Sequence, residues 1–183
     1  MIARLVRALV LAVALAAPAA AQDAPPLPAP PPDTLARACA GDAFRAFDFW
    51  LGRWRVGPVG RPAGAVNEIT RVGQGCALQE RYHNAGGYTG TSLNFVDRAT
   101  GRWHQIWVDN SGLVLRLEGG LDDEGRMVLA GDRTDRDGSA VRDRITWIAQ
   151  EDGTVHQVWD VSKDGGATWE NAFHGVYTRI DDD

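Results

Sequence analysis

Glu80, Arg144 and Gln157 are polar side chains set within otherwise apolar, strand-like stretches, and a charge taken into a fold interior must find a partner. Glu80 with Arg144 therefore reads as an internal salt bridge or as a pair that orients a polar ligand group. Trp159 shares parity with Gln157, so both point to one side of their strand. A dry pocket would raise the pKa of Glu80, or of Asp48, and either carboxyl could then act as a general acid or base. Nothing else completes a catalytic series. G-x-S-x-G is absent, and His83, His104, His156 and His174 fall on separate segments without H-x-H or H-E-x-x-H spacing. Neither a metal nor a cofactor is expected from these residues.

Ser162-Lys163-Asp164-Gly165-Gly166-Ala167-Thr168-Trp169 fits the S-x-D-x-G-x-T-W Asp-box of sialidases and other β proteins. What this motif builds is a turn: Asp164 accepts local N–H groups, a glycine takes positive φ, and the tryptophan packs beneath. Four propeller blades of ~40–45 residues each exceed the domain that begins at Cys39, so Asp164 is assigned a structural role.

These residues need strands to hold them. From Arg53 onward, β-branched and aromatic runs alternate with glycine- and aspartate-rich punctuation such as Asn110-Ser111-Gly112, Asp123-Glu124-Gly125, Asp137-Gly138 and Asp152-Gly153. Strands are predicted at 53–58, 65–73, 76–83, 89–97, 102–109, 113–119, 126–131, 140–149, 154–160 and 168–179. Short antiparallel strands in a meander hide their edges by closing, which makes the fold class all-β, an up-and-down barrel of about 8–10 strands. If Asp97 faces Arg102, then Asn94 lies opposite Gln105 and Ser92 opposite Trp107. One face then carries Ser92, Asn94, Val96, Trp103, Gln105 and Trp107; the other carries Leu93, Phe95, His104, Ile106 and Val108. A solidly packed barrel would turn the aliphatic face inward. A barrel with a ligand cavity would turn the amide and tryptophan face inward, and this second arrangement is the one we expect. The expected ligand-binding set is thus Glu80, Ser92, Asn94, Gln105, Trp107, Arg144, Gln157 and Trp159.

The run Phe47-Asp48-Phe49-Trp50-Leu51-Gly52-Arg53-Trp54-Arg55-Val56 resembles the opening of a broad set of uncharacterised exported bacterial proteins with a lipocalin-like, calycin-type barrel. Gly75-Cys76-Ala77-Leu78-Gln79-Glu80, Ser92-Leu93-Asn94-Phe95-Val96-Asp97 and Gly101-Arg102-Trp103-His104-Gln105-Ile106-Trp107-Val108-Asp109 extend the likeness. The resemblance implies a fold and no set activity. Gly52-x-Trp54 is also similar to the G-x-W signature of lipocalins, in which an arginine near the last strand covers the tryptophan. Arg179 is placed to do so here, through cation–π attraction and spare donors for the last turn.

The chain opens with Arg4 and Arg7, an apolar run from Leu9 to Ala17 too short to span a bilayer, and Ala19-Ala20-Ala21, the pattern of a cleavable signal peptide. Residues 1–21 are read as that signal, 22–38 as a spacer with six of the chain's nine prolines followed by a short N-terminal helix opened by Asp33, and 39–183 as the barrel. Cys39 lies too far from the apolar run to carry a lipoprotein anchor. Removing residues 1–21 leaves 162 of 183 residues and, by taking away two arginines, moves the formal net charge from −5 to −7. That sign disfavours nucleic acid and anionic membranes as partners, and no membrane insertion is expected after cleavage. Cys39 and Cys76 are an even pair in an oxidising compartment, periplasmic or secreted, and are expected to form a disulfide. The functions compatible with all this are binding of a small, partly apolar molecule, a calycin-like enzyme with a pocket carboxylate, and an envelope interaction protein with a packed barrel.

Overall fold

A computed structural model describes residues 38–180. The segments read as signal peptide and proline-rich spacer, and most of the helix expected from Asp33, lie outside them. The ten strands are β1 (Gly52–Pro58), β2 (Ala65–Val72), β3 (Ala77–Asn84), β4 (Thr89–Val96), β5 (Trp103–Asp109), β6 (Val114–Leu121), β7 (Met127–Thr134), β8 (Ala140–Ala149), β9 (Val155–Ser162) and β10 (Glu170–Arg179). Each pairs antiparallel with its neighbours in sequence, and β1 pairs with β10 to close the barrel. Tight links keep the meander in order. In the β6–β7 turn, Gly125 at φ +75 sends its N–H to the Asp122 carbonyl, 3.0 Å away, a conformation that other residues adopt at a cost.

Side chains alternate in and out along every strand. In β4 and β5 the register pairs Ser92 with Trp107, Asn94 with Gln105 and Val96 with Trp103. Ser92, Asn94 and Gln105 are all buried, whereas Leu93, Ile106 and Val108 are 44%, 42% and 41% exposed. The polar and tryptophan face is therefore the inner one, and the aliphatic face looks out.

One end of the barrel is stoppered. Two 3-10 turns, Asp42–Phe44 and Asp48–Trp50, cross beneath the strands and insert Phe47 and Trp50, both fully buried. Phe47 stacks on Trp50 at 4.8 Å and meets Trp103 and Trp147 edge-on at 5.6 and 5.1 Å. Burying such rings contributes roughly 2–3 kcal/mol each and gives the stopper its affinity for the barrel floor. The Cys39–Cys76 disulfide ties the segment before the stopper to the β2–β3 link, and Arg45 donates to the carbonyls of both Cys39 and Gly75 at 2.9 Å. At the same end the Arg179 guanidinium lies 4.2 Å over the Trp54 ring and donates to the Leu51 carbonyl at 3.1 Å. Gly52, at φ +128, makes room for it: a Cβ there would sit 2.4 Å from Arg179 Nη1.

Candidate functional site

Above the stopper the barrel interior changes from apolar to polar. Glu80 on β3 is 3% exposed and accepts from Asn67 Nδ2 at 2.8 Å and from the Ser92 hydroxyl at 2.6 Å. Asn67 Nδ2 also donates to the Tyr177 hydroxyl at 3.2 Å, and that hydroxyl donates in turn to Gln157 Oε1. Ser92 is the hub on the opposite side, accepting from Asn94 Nδ2 at 2.8 Å and from Gln105 Nε2 at 3.4 Å. Glu80 is the one group in this layer that ionises near neutral pH. Burial lifts its pKa to about 7, with the hydrogen bonds from Ser92 and Asn67 pulling partly the other way. Burial and then the neighbouring Glu80 charge push the Tyr177 phenol well above its ordinary range.

This polar layer is the floor of a cavity of about 110 Å³. Glu80, Gln105, Gln157 and Tyr177 form its base, Leu115 and Ile145 part of its wall, and Tyr82, Tyr88, Trp107, Trp159 and Phe173 its upper rim. The rim rings are set by carboxylates. Trp107 Nε1 donates to Asp109 at 3.2 Å and the Tyr88 hydroxyl to the same oxygen at 2.7 Å. Burial alone would raise the Asp109 pKa, but hydrogen bonds from Ser111, Tyr88 and Trp107 outweigh it and hold the group at about 2. Across the mouth Trp159 Nε1 donates to the buried Asp143 at 2.9 Å, and Arg133 closes that cluster with a 2.8 Å ion pair to the other Asp143 oxygen. Gly90 leaves the space Trp107 occupies, since a Cβ there would lie 2.1 Å from the indole ring.

Of the residues singled out from sequence, Glu80, Gln105, Trp107, Gln157 and Trp159 line this cavity, and Ser92 and Asn94 are buried behind its floor. Arg144 does not join them, which corrects the expected pairing with Glu80. Val141, Asp143, Ile145 and Trp147 are the inward set of β8, so Arg144 projects outward, 3.0 Å from Asp160 and 4.1 Å over the Trp169 ring. Asp164 holds the β9–β10 turn through Thr168 N at 2.9 Å and the Ser162 hydroxyl at 2.7 Å. His156 and His174 meet at 3.3 Å on the outer face, away from the cavity, and no group of three or more His, Cys, Asp or Glu suited to a metal occurs among the described residues.

Sequence reasoning missed Asn67, Tyr82, Tyr88, Asp143, Phe173 and Tyr177. For Asn67 and Asp143 a signal was present: each shares parity with buried apolar neighbours, Ile69 in one case and Ile145 in the other. Tyr177 reaches Asn67 across 110 residues of sequence, and only the closure of β1 onto β10 brings them together. No family model matches the chain, and a search of curated proteins finds no match.

Proposed function

We propose that this protein is an exported, lipocalin-like barrel that binds a small, partly apolar molecule. The observation that carries the reading is the cavity itself, with aromatic rings above and a hydrogen-bonded carboxyl below, which is the division of labour of a site that both buries and orients a ligand. The disulfide is consistent with an oxidising compartment and supports export.

Mass spectrometry of small molecules extracted from natively purified protein tests the reading, followed by titration of the recovered compound against tryptophan emission. Trp107→Ala should weaken binding at least tenfold by removing a large rim surface. Gln105→Leu keeps a similar volume and loses only a long hydrogen bond to Ser92, so it should leave the fold standing while weakening polar ligands. A protein that carries no extractable molecule and shows no emission change with any compound class would overturn the proposal.

A second reading has one observation behind it. A carboxyl poised near pH 7 at the base of a cavity is suited to proton transfer, so Glu80 could serve a calycin-like enzyme as general acid or base. Chemical change of the bound compound by the wild type, absent in Glu80→Gln, would select this reading over simple binding.

A further inference from the structure

Among the described residues Glu80 is the only ionisable carboxyl at the cavity base, and it makes no ion pair with any of them. Its two hydrogen-bond donors, Asn67 and Ser92, are neutral. A buried carboxylate without a counter-charge is costly, and no arginine, lysine or histidine among the described residues relieves it. Arg133, half-buried beside Asp143, is already engaged by Asp143 at 2.8 Å and Asp135 at 3.3 Å.

Everything else around the space favours positive charge or tolerates it. Tyr82 meets Tyr88 at 5.9 Å and Trp107 at 6.4 Å, both close to perpendicular, so the three rings form the corner of a box. A cation seated in such a corner lies within the ~6 Å reach of more than one ring face. The indole N–H groups of Trp107 and Trp159 and the Tyr88 hydroxyl, which would otherwise repel a cation, are all turned onto Asp109 or Asp143. Asp109, which makes no ion pair among the described residues, adds negative charge behind Tyr88 and Trp107, whereas Asp143 is balanced by Arg133. Among the described residues no Lys, Arg or His lines the cavity, which leaves an anionic ligand without a partner.

We propose that the cavity takes a small organic cation, an amine or quaternary ammonium headgroup, seated among Tyr82, Tyr88 and Trp107 with Glu80 as its counter-charge. A cavity of about 110 Å³ offers on the order of eight water-sized positions, which suits a headgroup of a few heavy atoms rather than a long lipid. This inference rests on the small-molecule reading above and narrows it to a charge class.

The test is a calorimetric and fluorescence titration at pH 8 with two matched pairs: choline against 3,3-dimethylbutan-1-ol, and butylammonium against butan-1-ol. Within each pair shape is nearly constant and charge is not. At least one cation should bind tenfold or more tightly than its neutral partner. Glu80→Gln should erase most of that preference while leaving the alcohols within twofold. Trp107→Leu, which keeps apolar volume and removes the ring, should weaken the cation several-fold more than the alcohol; it serves if Glu80→Gln does not fold. Equal affinities within both pairs, or tighter alcohols, overturn the cation proposal and leave small-molecule binding intact. Failure of all four probes, with a neutral or acidic compound recovered from native protein, does the same. Failure of all four with nothing recovered overturns both.

Discussion

Replacing Glu80 by glutamine should abolish one pH dependence of stability and reverse which protein is the more stable between acid and alkaline pH, and the size of the effect follows from where the carboxyl sits. Burial raises its pKa from 4.5 to about 7 in the folded chain, while the unfolded chain keeps the ordinary value. Below about pH 4.5 both states are protonated and the group is indifferent to folding. Between there and pH 7 the unfolded chain gives up its proton and the native one holds it, so stability falls as pH rises, and above pH 7 the whole penalty is present. At ~1.4 kcal/mol per pKa unit the loss is about 3 kcal/mol. Tyr82 and Tyr177, the titratable groups facing Glu80, are both pushed upward and stay neutral across this range. Glutamine carries no charge but exchanges one acceptor for a donor beside Ser92 and Asn67, at a cost of about 1 kcal/mol. Urea denaturation should therefore find the variant about 1 kcal/mol less stable than the wild type at pH 4 and about 2 kcal/mol more stable at pH 8. In thermal melts the swing of about 3 kcal/mol corresponds to roughly 6–12 °C. Parallel pH profiles for the two proteins would refute the account, because they would mean that Glu80 ionises in the folded barrel as freely as in water.

Reduction of Cys39–Cys76, or replacement of both by serine, should lower stability by about 3–4 kcal/mol by freeing a loop of 36 residues in the unfolded chain, measured by urea denaturation with and without reductant. Non-reducing peptide maps of exported material should show the two linked, and free thiols there would contradict the bridge. Gly52→Ala should cost about 1–3 kcal/mol and displace Arg179 from Trp54, since φ is +128 and the new methyl would meet the guanidinium; unchanged melting would count against that contact. The intact mass of periplasmic or secreted protein should correspond to a start at Gln22, whereas full-length chain confined to membranes would exclude cleavage.

The number of strands was legible because each is bounded by its own turn chemistry, and the β4–β5 register was legible because Asp97-Arg98-Ala99-Thr100-Gly101 fixes how its flanks meet: Asp97 N reaches the Arg102 carbonyl at 2.9 Å. Which face points inward was harder, since the usual rule of apolar inside runs backward in this hairpin, with Asn94 and Gln105 enclosed and Leu93 and Ile106 in solvent. Arg144 was misplaced for the opposite reason. It was paired with Glu80 by charge, although the alternation of Asp143, Ile145 and Trp147 on its own strand already sends it outward. The rim residues Tyr82, Tyr88 and Phe173 come from three different strands or links and share no local pattern. Their meeting follows from barrel closure and its stagger, which adjacent residues do not encode.

The stopper of Phe47 and Trp50 has a kinetic consequence. A barrel shut at one end by stacked rings and a disulfide gives its contents a single route, so arrival and departure compete for the same mouth. An incoming molecule cannot displace a resident from behind. Exchange must then proceed through an empty intermediate, and the rate at which an excess of competitor strips a bound compound should be independent of competitor concentration. The residence time belongs to the rim alone: Tyr88 and Trp107 on one side and Trp159 on the other, held by Asp109 and Asp143, act as the valve. Loosening either carboxylate should shorten occupancy by speeding release, with the floor that recognises the molecule left as it was.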